Sequence, residues 1–203
     1  MHGHGRRYAV LAMILYKQRD RGFTLIELMV TLAIAAVLLL VAIPSMTAYK
    51  RNAELTSATN TLLSAINGAR GEAMKRGMYA MVVPADGADW NTGWIVFVDK
   101  NRTQVYDATV DQTVLSQAPL PGYFNVTGNG TATGSAPYIM FDASGYSKTK
   151  SSSFGDLTLT LTRTDLSGSA LNDQTRRVVV AKTGRARTCR PSTDTSCTVS
   201  ASQ

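Results

Sequence analysis

The segment from Leu28 to Ile43 is apolar at every position except Thr31, and it follows directly on a single carboxylate, Glu27. From Phe23 to Ile43 the stretch has about the ~20 residues that cross a hydrocarbon core at ~1.5 Å rise per residue. It is therefore expected to form a membrane helix. A carboxylate at the head of such a helix is costly, roughly 2.5–3.5 kcal/mol by insertion measurements, so Glu27 calls for a partner and a function.

The residues around it are Arg21-Gly22-Phe23-Thr24-Leu25-Ile26-Glu27, with the carboxylate fifth after the glycine and Pro44 closing the apolar run. This combination resembles the N-terminus of type IV prepilins and type II secretion pseudopilins. The resemblance implies cleavage between Gly22 and Phe23 by a prepilin peptidase and N-methylation of Phe23. It also implies that Glu27 pairs with the N-terminal amine of a neighbouring pilin during assembly. The physics is compatible, because a carboxylate and an ammonium that are each costly alone in lipid offset one another when a second subunit brings them together. An ordinary signal anchor with an incidental Glu is the plainer alternative.

The formal charge of +7 shrinks on that cleavage. Arg6, Arg7, Lys17, Arg19, Arg21 and Asp20 precede the cut, which takes 21 basic and 14 acidic residues to 16 and 13, a net of +3. Much of the basicity is then a topology signal that holds the leader in the cytoplasm and sends the C-terminal part across the inner membrane. A secretory signal peptide is cut after its apolar core, whereas this cut precedes it, so the helix is retained. Met13 offers a second start that leaves a short basic leader ending at Gly22. The expected organisation is a leader over 1–22, a transmembrane and assembly helix over 23–43, its amphipathic continuation over 44–76, and a β-rich domain over 77–203.

Phe23 to about Met74 reads as one helix, kinked at Pro44 where an N–H is missing and the ring crowds the preceding turn. Beyond it Leu55, Ala58, Leu62, Ile66, Ala69 and Ala73 recur at spacings of three and four, an amphipathic face, and Gly68, Gly71 and Gly77 loosen the end. Six strands are expected at 78–83, 93–99, 113–117, 138–141, 157–163 and 175–182, divided by Gly, Asn, Asp and Pro. Leu157, Leu159 and Leu161 alternate with threonines as in a half-buried antiparallel strand. Residues 126–136, 148–153 and 165–173 read as loops. The fold class is α+β, a long helix on antiparallel sheet. Gly93-Trp94-Ile95-Val96-Phe97-Val98-Asp99 and Ile139-Met140-Phe141-Asp142-Ala143-Ser144-Gly145 resemble the GspH/FimT family of pilin-like proteins.

Catalysis is not expected. His2 and His4 lie in the leader, so the cleaved chain lacks the commonest general base and metal ligand. Asp99, Asn101 and Asp107 fall short of a calcium loop, lacking the further oxygen ligands and terminal Glu, and a solvated hairpin is the better reading. Gly128 and Gly130 are not followed by a helix or a Lys-Ser/Thr pair, so they form no phosphate loop. No cofactor and no metal are expected. Cys189 and Cys197, outside the cytoplasm by topology and without a histidine nearby, are expected to form a disulfide.

One charge cluster stands out. Arg176, Arg177, Lys182, Arg185, Arg187 and Arg190 fall within fifteen residues that hold no acid. Gly184-Arg185-Ala186-Arg187 resembles the DNA-binding motif of the minor pilins of this family that serve DNA uptake in natural transformation. Arg176 and Arg177 point to opposite faces of a strand, so the expected DNA-binding set is Lys182, Gly184, Arg185, Arg187 and Arg190. Guanidinium forks suit phosphate oxygens, and no aromatic residue interleaves them, so contact with DNA is expected to be independent of sequence. Two other roles share the same fold: a structural minor pilin that primes pilus assembly, and a type II secretion pseudopilin of the H class. For them the charges only solvate a strand edge and discourage aggregation.

Overall fold

The computed structural model of the protein describes residues 22–200. The proposed leader up to Arg21, with His2, His4 and Met13, lies outside the described residues. The chain divides into two units at Met46 and Thr47, and one helix, α1 (Leu25–Arg76), runs from the first into the second and is continuous across Pro44. Thr24 opens α1: its Oγ1 accepts the Glu27 N–H at 3.2 Å and its carbonyl accepts the Leu28 N–H at 3.1 Å. A Thr cap with Glu three residues on is the pattern that satisfies the free N–H groups of a first turn. In the first unit the large apolar side chains described, from Phe23 to Met46, are all exposed, and the helix is long and apolar enough to cross a membrane.

In the second unit α1 turns Leu55, Leu62, Ile66, Ala69 and Ala73 fully inward, with Ala58 partly covered, as the spacing requires. The helix ends at Gly77, whose φ of +67° and N–H to the Ala73 carbonyl form a left-handed cap. Eight strands follow: β1 (Ala80–Pro84), β2 (Trp94–Val98), β3 (Gln112–Gln117), β4 (Phe124–Gly128), β5 (Ile139–Phe141), β6 (Leu157–Arg163), β7 (Arg176–Val180) and β8 (Ala186–Cys189). They pair antiparallel as two sheets, ordered β3-β2-β1-β5 and β4-β6-β7-β8. The inner faces of both sheets and the apolar face of α1 share one core, including Val82, Val96, Phe141, Leu159 and Val178. The first sheet is buried on its other face too, where Met81, Phe97 and Met140 lie under Tyr79, Tyr106 and Tyr138. That double burial explains why β1 and β2 read as unbroken apolar runs.

The six expected strands are all present. Two more, β4 and β8, were missed. Residues 126–136 were expected to be loop, yet β4 occupies 124–128, because Asn125 and Thr127 alternate with the core residues Phe124 and Val126 and the polar composition hid the period of two. Residues 165–173 also differ from the loop expectation, since a short helix, α2 (Gly168–Gln174), sits there. Thr158 is not half-buried: it and its register partner Val179 lie 1% and 4% exposed on the face turned away from α1. The expected hairpin around Asp99 is not solvated at that residue. Asp99 is fully buried and accepts the Thr103 and Gln104 N–H groups at 3.1 and 2.9 Å.

An ionic cluster ties α1 to β6. Asp165 accepts from Arg163 at 3.0 and 2.7 Å and from Arg51 at 2.6 Å, and Arg163 reaches the Ala48 carbonyl at 3.4 Å. Arg51 also lies over the Tyr123 ring, whose hydroxyl donates to Glu54. The Arg163 hydrogen bonds, and then those of Arg51, hold the Asp165 carboxyl well below the usual carboxylate range against the opposing effect of burial.

Candidate functional site

β7 and β8 are joined by a three-residue hairpin loop, Lys182-Thr183-Gly184, closed by Gly184 N–H to the Ala181 carbonyl at 2.8 Å and Ala181 N–H to the Arg185 carbonyl at 3.0 Å. The loop after β5 is built the same way. Gly145 N–H donates to Asp142 at 2.9 Å, and Asp142 N–H to the Tyr146 carbonyl at 3.0 Å. Each loop ends in a glycine with φ of +78°, the left-handed residue that three-residue hairpins require. The two glycines meet, and a Cβ on Gly184 would lie 1.9 Å from the Gly145 carbonyl oxygen. Arg70 of α1 clamps the pair, donating from Nε to Gly145 O at 2.9 Å and from Nη2 to Thr183 O at 3.3 Å. The glycine of the Gly-Arg-x-Arg segment is thus fixed by packing. Arg70 escaped notice from sequence, although it is the single cation between Arg51 and Lys75.

Strand parity sorts the cations. Val178 and Val180 face the core, so Arg177 and Val179 face outward. The register pairs Arg187 with Val179 and Cys189 with Arg177, and Arg185 follows the same parity. Arg185 and Arg187 therefore lie on one outward face, where with Val179, Ala181, Thr183 and Ser196 they line a groove. Lys182 is exposed in the hairpin loop. Arg190 lies just past the end of β8, near enough to Arg176 for its charge to act on it, and is not among the residues that line the groove. Arg176 is inward and buried, donating to Asn52 Oδ1 at 3.2 Å and to the Asp173 and Thr175 carbonyls at 3.0 Å. Burial first, then the Arg190 charge, lowers the pKa of its guanidinium. Arg176 and Arg177 do diverge as strand geometry demands.

The C-terminal segment folds back over this outward face. Cys189 and Cys197 are bonded, with Cα atoms 5.7 Å apart. Arg177 donates to the Cys197 carbonyl and Asn129 to the Val199 carbonyl. Within the closed loop Asp194 approaches Arg187 Nη1 at 3.3 Å, and Arg187 Nη2 donates to the Ser196 carbonyl at 3.2 Å. The Ser196 hydroxyl and N–H, at 2.6 and 2.9 Å, and then Arg187, hold the Asp194 carboxyl below its ordinary pKa. Asp194 also escaped notice from sequence, though it is the one acid between the two cysteines.

At the other end of the chain Gly22, Phe23, Thr24 and Glu27 border one concavity, and Phe23 is 78% exposed. Glu27 sits in the first turn of α1, where a carboxylate also suits the positive end of the helix dipole. Among the described residues, no group of three or more His, Cys, Asp or Glu is placed to hold a metal.

The family model described as Type II transport protein GspH matches residues 58–184, and that of the prokaryotic N-terminal methylation motif matches residues 17–43. Among solved structures, the type IV minor pilin FimU of Pseudomonas aeruginosa is similar at 15% identity and a TM-score of 0.51, over 71% of this chain and 94% of that one. The minor pseudopilin EpsH of the Type 2 Secretion System of Vibrio cholerae aligns at 14% identity and a TM-score of 0.47, over 68% and 98%. No curated protein sequence matches.

Proposed function

The chain belongs to the GspH family of pilin-like proteins, and from that premise we propose that it is a minor type IV pilin whose last hairpin binds extracellular DNA for uptake in natural transformation. The proposal begins at the N-terminus. Prepilin peptidase cuts between Gly22 and Phe23, Phe23 is methylated, and the helix over 23–43, kinked at Pro44, holds the protein in the inner membrane with its β-rich domain in the periplasm. Glu27 then meets the N-terminal amine of a neighbouring pilin, major or minor, and the subunit enters the pilus.

The observation that carries the DNA reading is the placement of Arg185 and Arg187 side by side on the outward face of the last strand, rimming a groove, with Lys182 exposed at the turn. Phosphates are the ligand that planar, fixed guanidinium forks favour. With Lys182, Arg185 and Arg187 all in contact with phosphates, the log-log salt slope reaches at most about −2.7, shallower than the −3.6 that four contacts would give. Arg190, which does not line the groove, adds to the general field and not to this contact.

The test is a mobility shift of duplex DNA by the full chain in detergent micelles, wild type against Arg185→Gln plus Arg187→Gln, over a salt series. A shift that fades with salt and is lost in the variant is the expected result. The second reading is a structural minor pilin or an H-class pseudopilin, and it draws on Gly184, whose presence is accounted for by its contact with Gly145 alone. Absence of any shift at low salt would establish that reading in its place.

A further inference from the structure

The outward face that carries Arg185 and Arg187 is already occupied in part by an acid of the same chain. We propose that Asp194 is a built-in competitor for Arg187 that sets the affinity and salt threshold of anion binding at the β7–β8 groove. This rests on the DNA reading above and adds to it the residue that tunes the site.

The geometry points to Asp194 in three ways. Its Oδ2 lies 3.3 Å from Arg187 Nη1, where a phosphate oxygen would sit, and the second nitrogen of the same fork donates to the Ser196 carbonyl. Asp194 is held there independently of Arg187, because its Oδ1 accepts the Ser196 N–H at 2.9 Å and hydroxyl at 2.6 Å, and the Cys197 N–H donates to its carbonyl at 3.0 Å. The Cys189–Cys197 bond closes the loop that bears it, so the carboxylate cannot diffuse away from the groove. A tethered competitor acts at an effective concentration set by that loop, and an incoming phosphate must displace it. The same segment also engages Arg177 through the Cys197 carbonyl. Two of the six clustered cations are thereby held by the tail, while Lys182, Arg185 and Arg190 stay exposed.

Asp194→Asn removes the charge and keeps Oδ1 for Ser196, so the turn is retained. Binding of a fluorescent duplex oligonucleotide to the full chain in detergent micelles is read by anisotropy over a salt series, in wild type, Asp194→Asn, Arg187→Gln and the double variant. Asp194→Asn is expected to tighten binding about two- to fivefold, the worth of one partly exposed ion pair, and to steepen the salt slope by about 0.9. Both gains should vanish in the Arg187→Gln background. If the wild type binds and Asp194→Asn changes neither affinity nor slope, or if the gain persists without Arg187, the proposal is overturned and the DNA reading stands. If no chain binds even at low salt, both fall.

Discussion

Gly184→Ala separates the backbone role of the Gly-Arg-x-Arg segment from its charge. The new Cβ would lie 1.9 Å from the Gly145 carbonyl oxygen and 2.9 Å from Arg70 Nε, on a residue with φ of +78°. The left-handed conformation alone costs an L-residue about 1–2 kcal/mol. Forcing the hairpins apart adds about 1–3 kcal/mol of overpacking, and weakening the Arg70 bonds to Gly145 and Thr183 removes about 1 kcal/mol more. The expected loss is therefore about 3–6 kcal/mol. Gly87→Ala is the matched control: Gly87 also donates to the carbonyl three residues back and has φ of +84°, but nothing lies within 4 Å of its would-be Cβ. It should lose only the conformational ~1–2 kcal/mol. Trp90 and Trp94, both buried in the core and the only tryptophans, report unfolding of the second unit in urea. At an m-value of about 2 kcal/mol/M, the variants should differ in midpoint by about 1 M or more. Equal midpoints would refute the close approach as the reason for Gly184 and return that glycine to a role in ligand binding.

The ionic cluster at Asp165 makes a pH prediction. Its folded pKa is depressed, so its contribution is present above the unfolded value near 3.9 and is lost as pH falls below it toward the folded value. Asp165→Asn should lower stability at neutral pH by about 2 kcal/mol, below the ~3–5 of a fully buried pair because the carboxylate is 29% exposed. It should also flatten the acid limb of a pH–stability curve below about pH 4; an unchanged acid limb would remove Asp165 from that role. Replacing Cys189 and Cys197 together by serine should cost at most about 2.6 kcal/mol, the chain-entropy value for so short a loop. It should speed amide exchange at Val179 and Thr158, and unaltered exchange there would show that the tail does not cover this face.

The helix and the six expected strands were legible because a helical period, an alternation of two or a short apolar run between turn residues is a local signal; Leu55, Leu62 and Leu159 follow the first two, and Met81 to Val83 and Ile95 to Val98 the third. β4, α2 and β8 were not: β4 and β8 are short and rich in polar residues, β4 pairs with β6 some thirty residues on, and α2 buries no side chain, so none of them carries a clear apolar period. The same division runs through the candidate site. Strand parity alone separated Arg176 from Arg177, but that Arg190 falls past the end of β8, where its carbonyl accepts the Thr193 and Asp194 N–H groups of a turn, was set by the pairing of β8 with β7.

By itself the sequence determined the membrane-length helix, the segment from Gly22 to Glu27 with its family, and the concentration of cations before the C-terminus, since each is a property of contiguous residues. Only the tertiary structure decided which of those cations face one groove, that Gly184 is required by Gly145, and that Asp194 lies on Arg187. Those relations arise from contacts between hairpins, helix and tail, where distance in space bears no fixed relation to distance along the chain.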